Sequence, residues 1–218
     1  LIYFLMSLSV GVPFSLGVIN FKKYQAINRV FIIYLGFGLL SEIIFYFSTQ
    51  NTIKISSYNI FVLLEFLLLA YQYFLWGVPT NKKLFFIFLL VGITIWILNN
   101  FILSTLFGRN SIFKIYSSLY LVISPIDLIN KLYFDQNTHS LRRNYKFLIA
   151  SGLIIFFTFN IIVECFYIQN LNVSRSFMLS IFNIKAFLSC FINLLFVLVV
   201  LWIPTKKTPL RGVYTHIS

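Results

Sequence analysis

The sequence predicts an all-α, polytopic membrane protein: a seven-transmembrane-helix bundle with its N-terminus outside and its C-terminus in the cytoplasm. Three observations carry this reading. The apolar residues gather in blocks of about twenty, the number needed to cross about 30 Å of hydrocarbon at 1.5 Å per residue. Only 10% of the 218 residues are charged while 60% are hydrophobic, so a water-soluble fold would lack the charges to cover itself. Nearly all the charge falls between the blocks, in stretches too short for an extramembrane domain. A β-barrel would need alternating polar and apolar residues, and the run from Phe85 to Leu98 has none.

The spans fall near residues 1-20, 29-48, 57-77, 84-106, 113-133, 147-168 and 177-203, forming one domain over 1-203 followed by a basic tail over 204-218. Leu1 already stands in a hydrophobic block, with no basic segment before it and no small-residue cleavage site after it. That pattern predicts a retained span rather than a cleaved signal peptide. Pro13 in span one and Pro125 in span five each remove a backbone hydrogen bond and predict a kink. Cys165 and Cys190 fall at different depths in spans six and seven, which excludes a disulfide between them.

Orientation follows from the cations. Lys22, Lys23, Arg29, Lys82, Lys83, Lys131, Arg142, Arg143, Lys146, Lys206, Lys207 and Arg211 fall on one side, which is therefore cytoplasmic. Lys54, Arg109, Lys114 and Arg175 are assigned to the other. Trp76 and Trp202 sit at cytoplasmic helix ends, where an indole rests in the headgroup layer. The net charge of +12 is spread over short juxtamembrane segments, which meet an anionic cytoplasmic leaflet and not nucleic acid.

Ionisable groups within the bilayer are costly and mark the places where function is sought. Of the five acidic residues, Glu42, Glu65, Asp127 and Glu164 lie within spans. Helix direction brings Glu42, Glu65, Glu164 and Lys185 to one layer of the outer half, close to the level of Asn99 and Asn100. Tyr58, Glu65 and Gln72 repeat every seven residues; Asn160 and Glu164 are four apart; Lys185, Ser189 and Asn193 step by four. Each set shares a helix face, and those faces are expected to point inward, with Lys185 neutralised by Glu65 or Glu164. Such a layer either locks helices together or forms a ligand or ion pocket open to the outside, since it holds more carboxylates than its lysine can pair.

Span five carries a second stripe, Ser117, Tyr120, Ser124 and Asp127, ending at Lys131. It reads as a polar path towards the cytoplasm or as a seam with Asp127 and Lys131 paired. Asp135 and His139 in the following loop supply two metal-ligand types, too few for a site, and His216 stands apart in the tail. No cofactor, metal or catalytic cluster is indicated. A lysine in span seven invites comparison with retinal proteins, but Ile181 stands where microbial rhodopsins place an aspartate, and Leu63, Leu64, Glu65, Phe66 replaces their counterion motif.

Segments "SEIIFYF" from Ser41 to Phe47, "YNIFVLLEFLLL" from Tyr58 to Leu69, the pair Asn99-Asn100 and "INLLFVL" from Ile192 to Leu198 resemble a family of small seven-span proteins of Gram-negative bacteria with low-GC genomes. The resemblance implies an inner-membrane protein that accompanies signalling kinases, and carries no activity with it. Family members have histidine where this chain has Asn59, and another near Lys185, so no ligand or metal is transferred. The reading is a sensory or regulatory component that binds a small ligand from the outer side and shifts span five about Pro125 to reach a signalling partner. A transporter of small solutes or ions using the same layer is the alternative, and a membrane enzyme acting on lipid comes third.

Overall fold

The computed structural model describes residues 6–79, 81–103, 108, 110–134, 144–168 and 175–205. Within them the chain is built from helices. A 3₁₀ turn at Leu8–Val10 leads into α1 (Gly11–Ile19), and a second 3₁₀ turn at Phe21–Lys23 leads to α2 (Ala26–Phe47). Then follow α3 (Asn51–Leu75), α4 (Lys82–Ile97) with a π-helical continuation at Leu98–Leu103, α5 (Ser111–Phe134), α6 (Tyr145–Ile168) and α7 (Arg175–Trp202). Helices α2 to α7 are each long and apolar enough to cross a membrane; the apolar helical stretch Leu8–Ile19 is shorter.

The ends of these helices have local causes. Asn81 caps α4, its side-chain oxygen accepting from the backbone N–H groups of Lys83 and Leu84 at 3.0 and 3.3 Å. At the end of α3, Gly77 adopts φ +71°. The Val78 N–H returns to Tyr73 O and that of Gly77 to Phe74 O, a double closure that a left-handed glycine permits. Lys131 reaches from α5 to donate to the carbonyls of Gly77 and Val78. Pro13 follows the first 3₁₀ turn, where the missing N–H is absorbed at the start of the regular helix. Pro125 lies inside α5, where its ring cannot donate to the carbonyl of Leu121.

Neighbouring helices close a ring. α1 packs on α2, α2 on α3, α3 on α5, α5 on α6, α6 on α7, and α7 returns to α1. α4 stands outside this ring against α3 and α5. Its outward residues Leu84, Phe86, Ile87 and Leu90 are 50%, 58%, 54% and 66% exposed, an apolar surface suited to lipid and not to water. Where α1 crosses α2, small residues let the backbones approach. A Cβ on Gly17 would stand 2.7 Å from Ile32 Cδ1, and one on Gly36 would stand 2.7 Å from Phe14 Cε2.

The core runs through the ring as Phe31, Leu35, Phe66, Leu69, Phe113, Leu153, Phe157 and Phe196, with Phe31 and Phe196 edge to face at 5.1 Å between centroids. One end of the ring, where α1 meets α2 and α7 finishes, is tied by polar contacts. Tyr24 donates to Val200 O at 3.0 Å and pairs by backbone with Thr205. Gln72 donates to Ile27 O at 2.8 Å, and Tyr145 to Asn28 Oδ1 at 3.1 Å.

Three expectations are corrected. α3 begins at Asn51, not near 57, so Lys54 belongs to the helix, and Glu65 lies fourteen residues, about 21 Å, along it. The α2 and α3 helices are joined by only Ser48, Thr49 and Gln50, a tighter connection than the charge spacing suggested. Lys114, counted among the cations of the outer side, is buried in the first turn of α5. Arg109, Asp135, His139, Arg142, Arg143, Lys206, Lys207, Arg211 and His216 lie outside the described residues, as do Leu1 and most of the tail.

Candidate functional site

At the end of the ring opposite Tyr24, the helices part around a cavity of about 690 Å³. It lies between α2, α3, α6 and α7, with Ser7 and Val10 just before α1 closing one side. The polar lining comes from Tyr34 and Glu42 on α2, Glu65 on α3, and Lys185, Ser189 and Asn193 on α7. The rest is largely aromatic and aliphatic, including Phe61, Phe156 and Phe196.

Helical spacing sets these positions. Tyr34, Gly38, Ser41 and Glu42 fall on one face of α2, while Lys185, Ser189 and Asn193 descend α7 one turn at a time. Glu42 lies five residues from the end of α2, Lys185 ten from the start of α7 and Glu65 fourteen from the start of α3, so the charges run from rim to floor. Glu65 is 7% exposed and accepts from the Tyr34 hydroxyl at 3.3 Å. Glu42 accepts from Ser7, the Lys114 ammonium acts electrostatically on Glu65, and the Lys185 ammonium acts on both Glu65 and Glu42. Asn193 donates to Ser9 Oγ at 2.8 Å, fixing the wall between α7 and the 3₁₀ turn that leads into α1.

A second buried charge cluster lies nearer the same end, between α3, α5 and α6. Lys114 Nζ stands 2.7 Å from Glu164 Oε1, and Ser111 Oγ donates to Glu164 Oε2 at 2.7 Å. The Lys114 ammonium also lies 4.7 Å from the centroid of the Tyr58 ring, a cation–π contact. Glu164 is fully buried, so its charge depends on these partners. A cavity of about 150 Å³ bounded by Ser41, Glu42, Lys54 and Tyr58 adjoins both groups.

The single predicted layer is therefore divided. Glu42, Glu65, Lys185 and Ser189 do share a cavity, while Glu164, which does not line it, pairs with Lys114. Asn160 is buried on the Glu164 face of α6, away from the cavity lining. Asn99 and Asn100 are buried in the π-helical segment on α4, outside the ring. There Asn100 Nδ2 donates to Trp96 O at 2.8 Å, and Trp96 donates to Asn59 O at 3.1 Å. The Trp96 indole thereby braces α4 against α3.

The α5 stripe lines neither cavity. The buried face of that helix runs through Lys114, Ser117, Leu121, Ser124 and Leu128, and Tyr120 and Asp127 stand towards its edge. Tyr120 packs on Phe66 at 5.5 Å between centroids. Asp127, with 48% of its side chain exposed, pairs with Lys131 at 3.7 Å. Lys114 was the residue missed, and it sits one turn before Ser117 on the same face.

Comparison with known protein families, curated proteins and solved structures finds no match, so the chemistry of the site must be argued from its own residues.

Proposed function

We propose that this is a seven-span protein of the inner membrane that binds a small ligand in the Glu42, Glu65 and Lys185 cavity and reports its occupation to a cytoplasmic signalling partner. In this reading the N-terminus is outside, as the cation distribution implies, and the cavity opens towards the outer surface. The observation that carries it is the cavity itself. Its volume of about 690 Å³ is typical of small-molecule sites, and apolar walls with a few convergent charges are their usual make-up. A scaffold would gain more by closing such a space than by keeping it.

Sensing is favoured over transport by the other end of the ring, where Tyr24, Gln72 and Tyr145 tie α1, α2, α3, α6 and α7 together. A transporter would have to release these contacts in each cycle. Of the residues that could have lined an exit, Tyr120 packs on Phe66 of α3 and Asp127 pairs with Lys131 within α5, and neither borders either cavity. Occupation of the cavity moves α7 and α3, and Pro125 gives α5 a weakened turn at which to follow. The resemblance of the Ser41 to Phe47 and Tyr58 to Leu69 segments to proteins that accompany kinases supports a kinase as the partner.

The test is thermal unfolding of the purified full chain in detergent against a panel of small charged and amphiphilic compounds. A ligand raises the Tm with concentration, and Ala186→Phe, which fills the cavity, abolishes the rise. No shift with any compound class would overturn ligand binding. Flux of the binding compound across sealed proteoliposomes would replace sensing with transport.

A further inference from the structure

We infer that the ligand is a short apolar peptide with both ends free, its ammonium towards Glu65 and Glu42 and its carboxylate towards Lys185. This deepens the ligand-binding reading above and rests on it.

Opposed charges select a zwitterion. Glu65 lies on α3 and Lys185 on α7, opposite members of the six-helix ring, three neighbours apart either way round. Both line the same cavity, which therefore has a carboxylate wall and an ammonium wall, and Glu42 joins the carboxylate side from α2. The two carboxylates accept from Tyr34 and Ser7, and Lys185 acts on both from across the space. Among the described residues the charges at this end balance, with Glu42, Glu65 and Glu164 set against Lys54, Lys114 and Lys185. Lys54 shares the smaller cavity with Glu42, and Lys114, held by Glu164, also acts on Glu65. A ligand of one charge would upset that balance in a low-dielectric space. An uncharged apolar ligand would take water from both walls and return no hydrogen bond to either. A ligand with one charge of each sign does neither.

The remaining lining selects the body. Phe61, Leu153, Phe156, Ile192 and Phe196 present apolar surface for side chains to cover. The hydroxyls of Ser41 and Ser189 stand in the same lining and can donate to or accept from a peptide backbone. A volume of about 690 Å³ suits a drug-sized molecule, larger than one amino acid. A single amino acid also carries both charges on one carbon and so meets one wall at a time. Two or three residues separate the charged ends by about 3.3 to 3.6 Å for each residue in extended form, and allow both walls to be met together.

The test is equilibrium dialysis of radiolabelled trileucine against the purified full chain in a nonionic detergent. Saturable binding is expected. N-acetyl-trileucine and trileucine amide, which each lack one end charge, should compete at least about tenfold more weakly. Leucine and triglycine, which lack the length or the side chains, should also compete poorly. Variants assign the ends: Lys185→Met should lose most of the discrimination against the amide, and Glu65→Gln most of that against the acetylated peptide. Should these variants not fold, the competition series on the unaltered chain decides, with Ala186→Phe, checked by its own thermal transition, expected to remove binding by filling the space. Equal competition by either blocked peptide would overturn the zwitterion, and equal competition by leucine would overturn the peptide. Displacement by lysophosphatidylethanolamine at lower concentration than by trileucine would give the site to a lipid headgroup and overturn the peptide likewise. Absence of saturable binding overturns the inference outright, and the broader compound panel then judges the ligand-binding reading separately.

Discussion

Lys114 and Glu164, fifty positions apart in sequence, meet at 2.7 Å between the first turn of α5 and the last turn of α6. The pair is enclosed by Tyr58 and Ser111, and it joins three helices at one end of the ring. Removing one member leaves the other as a buried charge without compensation. Lys114→Met should therefore destabilise the protein by about 3 to 5 kcal/mol, and Lys114→Met with Glu164→Gln should recover much of that loss. Thermal unfolding in detergent of the two single variants and the double variant measures it, and additive losses would argue against direct coupling.

Glu65 and Lys185 separate function from scaffolding. Glu65→Gln keeps shape and hydrogen-bonding capacity while removing charge, and Lys185→Met removes the ammonium that faces it across the cavity. The double variant is expected to fold with a near-normal Tm yet lose the cellular response. A stable double variant with an unchanged phenotype would count against a ligand role for this cavity.

Tyr24→Phe deletes the hydroxyl that binds Val200 O while leaving the ring in place. The expected loss is about 0.5 to 1.5 kcal/mol, plus a small contribution from the orphaned carbonyl. Hydrogen exchange of the last turn of α7 should quicken in this variant, whereas that of the α2 to α3 connection should not change.

Gly36→Leu tests the α1 and α2 crossing. Even a Cβ at this position would come within 2.7 Å of the Phe14 ring, so the larger side chain must push α1 outward. Overpacking of this kind costs about 1 to 3 kcal/mol. Gly77→Ala, where φ is +71°, should also destabilise although nothing stands within 4 Å of its Cβ. A neutral Gly77→Ala would mean that the end of α3 does not depend on the left-handed turn.

Orientation is tested by cysteine accessibility in a background in which Cys165 and Cys190 are replaced by alanine; both are free thiols. Asn51→Cys should react with an impermeant maleimide on intact cells after outer-membrane permeabilisation, and Asn81→Cys only after the inner membrane is opened. A reporter fused after Ser218 should behave as cytoplasmic. The reverse labelling pattern would invert the topology.

Much of the architecture was legible because lipid imposes a simple rule: a span must be long, apolar and internally hydrogen-bonded. The helix positions from α2 to α7 follow from it to within about three residues, except at the start of α3, which lies six residues earlier. Partner choice was not legible. Depth counting from hydropathy blocks placed Glu164 beside Lys185, but depth is one coordinate, and the ring sets α5 against α6 and gives Glu164 to Lys114. Lys114 was counted only as an outer-side cation because it stands at the edge of its span, although it continues the Ser117 and Leu121 face. Asn99 and Asn100 had the right depth and the wrong side, since nothing in their spacing reveals that α4 lies outside the ring.

The return of α7 to α1 also has a meaning for biogenesis. The chain emerges from the ribosome in order, so α1 enters the membrane with its flanking residues Ser9 and Tyr24 still lacking Asn193 and Val200, which are translated much later. Until α7 arrives the ring is an open crescent, with the cavity charges of α2 and α3 facing lipid or the insertion machinery. α7 therefore acts as a keystone. Quality control that recognises unpaired polar groups in the bilayer would see every intermediate up to α7 as unfinished, and a late insertion fault would expose Glu42 and Glu65 together.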